Sequence, residues 1–277
     1  MFNPKRVSHK NREAGKMPKE TIGNIKMNYK VSGNGEPVVL ITGLGGDISF
    51  WNGMIPLLSD KFKVITFDNR GSGQTECPDE PFDMPDLAGD VISLLDRLAV
   101  KKAHVLGWSM GGNIAQEVAL GFPERVASLT LVSSYMRRPS RSSYAINTMI
   151  DSVRSGGDLE CLFKIIQSYC MTEEAFRTRE EKGVETPGLV TSTVEQFASQ
   201  MAALDRFDSR TRVKHIKAPT RVIHGNADIM VPPWMGENIA AEIEGADLVM
   251  IEGGGHTMAP KSYAQALLEH LIRNPIN

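Results

Sequence analysis

Ser109 stands in the run Gly107-Trp108-Ser109-Met110-Gly111, a G-x-S-x-G spacing. The apolar residues 104–106 before it read as a strand, and residues 113–120 after it as a helix. A strand that turns straight into a helix forces the central residue into a strained backbone conformation. Glycines on either side remove the Cβ atoms that would collide across the turn. The serine hydroxyl is thereby held clear of the sheet. The N–H of Met110, in the first helical turn, points where a tetrahedral oxyanion would form.

A serine hydroxyl is a weak nucleophile until a base takes its proton, so this reading demands a histidine and an acid. The chain has six histidines. His9 lies in a polar N-terminal stretch. His104 opens the strand before Ser109 and so sits at its far end. His215 falls in a connection, His224 ends an apolar strand, and His270 is expected on the solvent face of the last helix. His256 follows Gly253-Gly254-Gly255 and precedes Pro260. That flexible loop after the strand 248–251 can carry an imidazole over a strand end, which makes His256 the expected base. The expected acid is Asp228, between the strand 220–224 and a helix, where a carboxylate can accept the imidazole N–H and fix its tautomer. Asp68 follows a strand too, but it runs into Asn69-Arg70-Gly71-Ser72-Gly73 and reads as a turn held by an Asp/Arg network. Asp247 precedes its strand and points to the wrong end of the sheet.

The second oxyanion donor is expected from the loop Thr42-Gly43-Leu44-Gly45-Gly46, which ends the buried strand 38–41. The N–H of Leu44 is the natural partner of that of Met110. No lysine follows these glycines, which excludes a phosphate-binding loop of the Gly-Lys-Ser/Thr kind.

In these motifs, from about Ile22 to the last helix, the chain resembles the α/β-hydrolases. The carrying residues are Thr42-Gly43, Asp68-Asn69-Arg70-Gly71-Ser72-Gly73, the elbow 107–112, His224-Gly225-Asn226-Ala227-Asp228 with Val231-Pro232, and Gly254-Gly255-His256. The order Ser109, Asp228, His256 is that of this family. The family's loop histidine is replaced here by Thr42. Within the family the chain is most similar to small esterases and enol-lactonases of the 3-oxoadipate type, and to polyketide methylesterases. That resemblance implies a serine hydrolase of a small carboxylic ester or lactone, working through an acyl-enzyme. It also keeps open an acyltransferase on the same triad and a receptor-like ligand-binding protein. A carbon–carbon bond hydrolase stays open as well, although such enzymes tend to carry a tryptophan after the histidine and Thr257-Met258 stand here. A serine nucleophile excludes the dehalogenase and epoxide hydrolase branches, which need aspartate.

The elements that must position these residues follow from pattern. Strands alternate with helical stretches, the signature of a mostly parallel, doubly wound sheet. Residues 25–31 alternate as an edge strand, followed by a Gly33-Asn34-Gly35 turn. Residues 85–98 form an amphipathic helix, and 128–132 the next buried strand. No further strand comes until Thr220. The helical stretches between (144–155, 159–170, 173–181 and 194–204) predict a cap inserted after the sixth core strand, since an unstructured loop of that length would be implausible. The domain reading is a disordered tail over 1–20, an α/β core over 21–135 and 215–277, and a helical cap over 136–214 that governs specificity.

The cap is where the sequence turns vague. Trp108, Met136, Met230 and Met258 sit beside the catalytic segments and are expected to line an apolar, adaptable pocket. Trp51 flanks the oxyanion loop as a pocket wall or a core residue. Arg137-Arg138 at the cap entrance reads first as a solvated basic hinge, with the binding of a substrate carboxylate as the alternative.

Composition sets outer bounds. The 277 residues are 41% hydrophobic with a net charge of −2, which argues against nucleic acid as a partner. The first twenty residues carry six Lys/Arg against two Glu, a solvated tail rather than a secretory signal. No run approaches a membrane span. Three scattered cysteines have no metal-ligand spacing and suggest a reducing, cytoplasmic compartment. A small-molecule substrate is expected, with no metal and no cofactor. The oligomeric state is not legible.

Overall fold

A computed structural model describes residues 19–183 and 192–276. Eight strands form one sheet: β1 Lys19–Ile22, β2 Ile25–Ser32, β3 Glu36–Ile41, β4 Phe62–Phe67, β5 Ala103–Trp108, β6 Val126–Val132, β7 Thr220–Gly225 and β8 Asp247–Ile251. Their order is β1-β2-β4-β3-β5-β6-β7-β8. β2 pairs antiparallel with both β1 and β4, and the pairs from β4 onward are parallel. The helices are α1 Ile55–Leu58, α2 Met84–Arg97, α3 Met110–Gly121, α4 Ser140–Arg154, α5 Leu159–Cys170, α6 Glu173–Glu181, α7 Val194–Arg206, α8 Trp234–Glu242 and α9 Pro260–Arg273.

This is the doubly wound, mostly parallel sheet expected from the alternation of patterns, with α4 to α7 inserted after the sixth strand. The central strands are covered on both faces, so they read as continuous apolar runs. Val38, Val39, Leu40 and Ile41 are fully buried. The helices start where their caps say. Asp83 and Asp86 form a reciprocal capping box ahead of α2, and Thr193 and Gln196 do the same for α7.

The strand order reverses between β4-β3 and β5-β6, placing a switch point at the carboxyl ends of β3 and β5. Connections from those two ends leave in opposite directions and open a crevice, where open α/β sheets bind ligands. The Gly43–Gly46 loop follows β3 and Ser109 follows β5, so the two meet there.

Several expectations are corrected. β2 is not an edge strand: β1 covers it, because Lys19–Ile22 folds back through Gly23 as a hairpin. Lys19 and Glu20, expected in the tail 1–20, therefore belong to the sheet, and residues 1–18, with His9, lie outside the described residues, as do 184–191. The turn at 68–73 is not one Asp/Arg network. Asp68 accepts from Asn28 Nδ2 and from the backbone N–H groups of Ile48 and Gln74, while Arg70 forks onto Asp90.

His270 is buried rather than solvent-facing, its Nε2 donating to Leu129 O at 3.2 Å. Burial, helped by the charge of Arg221, pushes its pKa down to about 4. A group depressed in this way adds stability that is present above the unfolded pKa near 6.5 and is lost as pH falls toward 4, because the unfolded chain takes up the proton first. His270→Gln should flatten the decline in unfolding free energy between pH 7 and 4.5 by on the order of 2 kcal/mol, measured by urea denaturation. An unchanged slope would remove His270 from that account.

Candidate active site

Gly107 and Gly111 are where the chain needs glycine. A Cβ on Gly107 would lie 2.1 Å from Gly111 O, and one on Gly111 would lie 2.1 Å from Ile41 O. The turn can be this tight only without those atoms. Between them Ser109 has φ 55° and ψ −119°, a left-handed conformation rare for a residue with a side chain. Its N–H donates to Val132 O at 2.9 Å, and its carbonyl accepts from Gly112 N at 2.8 Å. Neighbouring strand and helix thus fix the strained turn.

Ser109 Oγ lies 2.9 Å from His256 Nε2, and His256 Nδ1 lies 2.8 Å from Asp228 Oδ2. Both His256 and Asp228 are buried. The loops that carry them are laced together: Ala227 N donates to Gly254 O at 2.9 Å and Asn226 N to Ile251 O at 3.1 Å. Asp228 Oδ1 accepts from the N–H groups of Met230 and Val231, at 2.9 and 2.8 Å. Burial by itself would push this carboxyl up. The charge of His256 and the hydrogen bonds from His224, His256 and Val231 outweigh burial and hold it well below the usual carboxylate range. Asp228 is an anion throughout the neutral range. The other acids stand elsewhere, with Asp247 paired to Arg221 and Glu252 exposed beside Asn226.

Leu44, whose N–H was expected to join that of Met110 as the second oxyanion donor, lines the same cavity as Ser109 and His256, and Met110 opens α3 directly after the serine. The glycine loop is held from both sides. Asn69 Nδ2 donates to Thr42 O at 2.9 Å, and Gly45 N donates to Gln200 Oε1 at 2.9 Å. Gln200 in turn donates to Arg70 O and Ser72 Oγ. Sequence reasoning missed Gln200, because one polar residue in an amphipathic helix carries no pattern that distinguishes a buried glutamine from an exposed one.

Two cavities meet at Trp108 and Leu44. The first, about 70 Å³, holds Ser109 and His256 and is walled by Tyr135, Arg138, Ile146, Phe163, Phe197 and Met230. The second, about 400 Å³, lies against the glycine loop and is lined by Phe50, Trp51, Ile166, Met171, Met258 and Tyr263 among others. Trp108 also donates Nε1–H to His256 O at 2.9 Å and stacks on Phe50. It therefore both walls the cavity and steadies the histidine loop. Trp51 is buried and does both jobs foreseen for it. Of the four residues expected around the substrate, Trp108 and Met230 line the serine cavity and Met258 the adjoining one. Met136 lines neither. Its carbonyl accepts from Ser209 N at 2.8 Å, and the residue borders a groove beside α8 with Arg137, Arg141 and Trp234.

Arg138 is no solvated hinge. It is buried in the wall of the serine cavity, with Nη1 3.2 Å from Asp205 Oδ1 and Nη2 3.4 Å from Ser142 O. Asp205 already serves Ser143 and Asn147. Burial lowers the pKa of this guanidinium against the pull of Tyr135 and Asp205. No cluster of His, Cys, Asp and Glu suited to a metal ion occurs among the described residues, and none of their helices is long and apolar enough to cross a membrane.

Residues 36–154 match the family described as the alpha/beta hydrolase fold. A proposed carbamate hydrolase, RutD, of Azorhizobium caulinodans is 29% identical over 253 residues, covering 88% of this chain and 92% of its own. Among solved structures, the enol-lactonase of Burkholderia xenovorans LB400 is 26% identical with a TM-score of 0.84, over 92% of this chain and all of that one. A thermophilic esterase of Thermogutta terrifontis, determined with malate bound, is 26% identical with a TM-score of 0.81, over 90% of this chain and 94% of that one.

Proposed function

Because this chain belongs to the α/β-hydrolase family and is an enzyme of that family, we propose that it hydrolyses a small carboxylic ester or lactone through an acyl-enzyme on Ser109. The observation that carries this reading is the hydrogen-bonded line from Ser109 Oγ through His256 to Asp228, at 2.9 and 2.8 Å. Ser109 Oγ attacks the carbonyl carbon and His256 Nε2 takes its proton. The oxyanion is held by the N–H groups of Leu44 and Met110. Collapse of the intermediate expels the alkoxide, which takes the proton back from His256. Water then attacks the acyl-enzyme by the same route, and the acid leaves. Asp228 fixes the tautomer in which Nε2 is free to accept, and its charge stabilises the imidazolium.

In this reading the small cavity takes the acyl group, the larger one across Trp108 takes the leaving group, and the segment 136–214 selects among substrates. Arg138 makes the acyl side suited to a group ending in a carboxylate. A guanidinium has five N–H donors, and here they meet one shared carboxylate oxygen, one distant carbonyl and the sulfur of Met201. The similar esterase of Thermogutta terrifontis was determined with malate, a dicarboxylate, bound.

The test is a panel of nitrophenyl esters of equal length, neutral or ending in a carboxylate, together with simple lactones. Wild type should turn over the charged member with the lower KM. Arg138→Met should raise that KM about 10- to 100-fold, the worth of a charge-assisted hydrogen bond, while sparing the neutral ester. Equal losses on both esters would remove the carboxylate reading. Binding of every member without turnover would favour a ligand-binding protein of this fold.

A further inference from the structure

His224, at the end of β7, is a second histidine against the proposed acid, and the chemistry above does not use it. Its side chain is fully buried. Nε2 lies 3.0 Å from Val231 O and 3.4 Å from Asp228 Oδ2. Both neighbours only accept, so Nε2 carries the proton and donates. Nδ1 is buried and has no hydrogen-bond partner among the described residues. It faces the backbone of Gly236 in α8, where an added Cβ would lie 2.5 Å from Nδ1. An apolar side chain would fill this site without bringing an unpaired nitrogen of its own. The imidazole therefore has to be explained by its other nitrogen.

We infer that His224 is a positioning residue for Asp228. By holding Val231 O it closes the segment from 224 to 231 into a loop, in which the N–H groups of Met230 and Val231 both reach Asp228 Oδ1. Its proton also lies over Oδ2, on the oxygen that accepts from His256. The carboxylate is thus gripped at both oxygens, and the one rotamer that meets His256 is the one all these donors select. The inference rests on the reading of Asp228 as the acid that orients His256.

A double-mutant cycle tests it, read as kcat and KM on a chromogenic ester, with thermal unfolding as the check on folding. His224→Leu should lower kcat about 10- to 100-fold, as loss of a hydrogen bond around a charged group does, with KM changed less than about twofold. His224→Gln, whose terminal N–H₂ reaches about where Nε2 lies, should recover most of that loss. His224→Asn, whose donor stops short, should not. In the background of Asp228→Asn the leucine substitution should have almost no further effect on kcat, because the group through which it acts is already gone. Equal losses in both backgrounds would overturn the inference, as would a wild-type kcat in His224→Leu. Should the leucine variant fail to fold, Gln and Asn decide: equal rates for the two would overturn it. Failure of the acid assignment would look different, since Asp228→Asn alone would then keep its rate.

Discussion

Ser109→Ala should abolish covalent labelling by a fluorophosphonate probe and lower ester turnover by about three to six orders of magnitude, leaving the fold intact. The wild type should take up one equivalent of probe. The size of the loss follows from the division of labour. Without Oγ there is no acyl-enzyme, and His256 has no proton to move. What remains is the modest catalysis that oxyanion donors and binding give by themselves. The fold should tolerate alanine because the turn is fixed by backbone groups. Ser109 N and O make the bonds to Val132 and Gly112, while Oγ, among the described residues, bonds His256 alone. Alanine has a Cβ as serine does, so the strain at φ 55° is not relieved and the elbow keeps its shape. Mass spectrometry of labelled protein and steady-state rates decide the matter. Labelling that persists in the alanine variant would place the nucleophile elsewhere.

Much of this arrangement was legible because its causes are local. A G-x-S-x-G between strand and helix needs only the clash at Gly107 and Gly111 to specify the elbow. The loops after β3, β7 and β8 were found from where strands end. The cap helices α5 and α6 match their apolar spacing to the residue. What escaped depends on pairings that the hydrophobic pattern does not encode. β1 pairs with β2 only because the chain folds back at Gly23, and Lys19 and Glu20 by themselves look like tail. His270 was placed on the solvent face of the last helix; it is buried instead, its Nε2 donating to Leu129 O in β6. Arg138 and Met136 were misjudged together. Arg138 borders both the serine cavity and the groove beside α8, whereas Met136 borders the groove and not the serine cavity. No pattern of periodicity encodes that difference.

Asp228→Asn should lower turnover by up to about 10⁴-fold with little change in stability, an expectation taken from the same exchange in serine proteases. The replacement is nearly isosteric. Its carbonyl oxygen can still accept from Met230 and Val231 N–H, so the loop should stay closed. The amide N–H₂ then faces His256 Nδ1, a donor against a donor, where an oxygen stood at 2.8 Å. The imidazole resolves this by moving its proton to Nε2. In that tautomer Nε2 donates to Ser109 Oγ and can no longer accept from it, so the base is lost even though every distance survives. The negative charge that steadied the imidazolium is lost as well. Because that carboxyl is held well below the usual range, wild type keeps the charge across the neutral region. The check is kcat/KM at neutral pH together with the circular dichroism and melting temperature of both proteins. A folded Asp228→Asn protein with a near wild-type rate would move the acid's role elsewhere. Asp247 is committed to Arg221 at the opposite end of its strand, so Glu252 would be the carboxylate to test next.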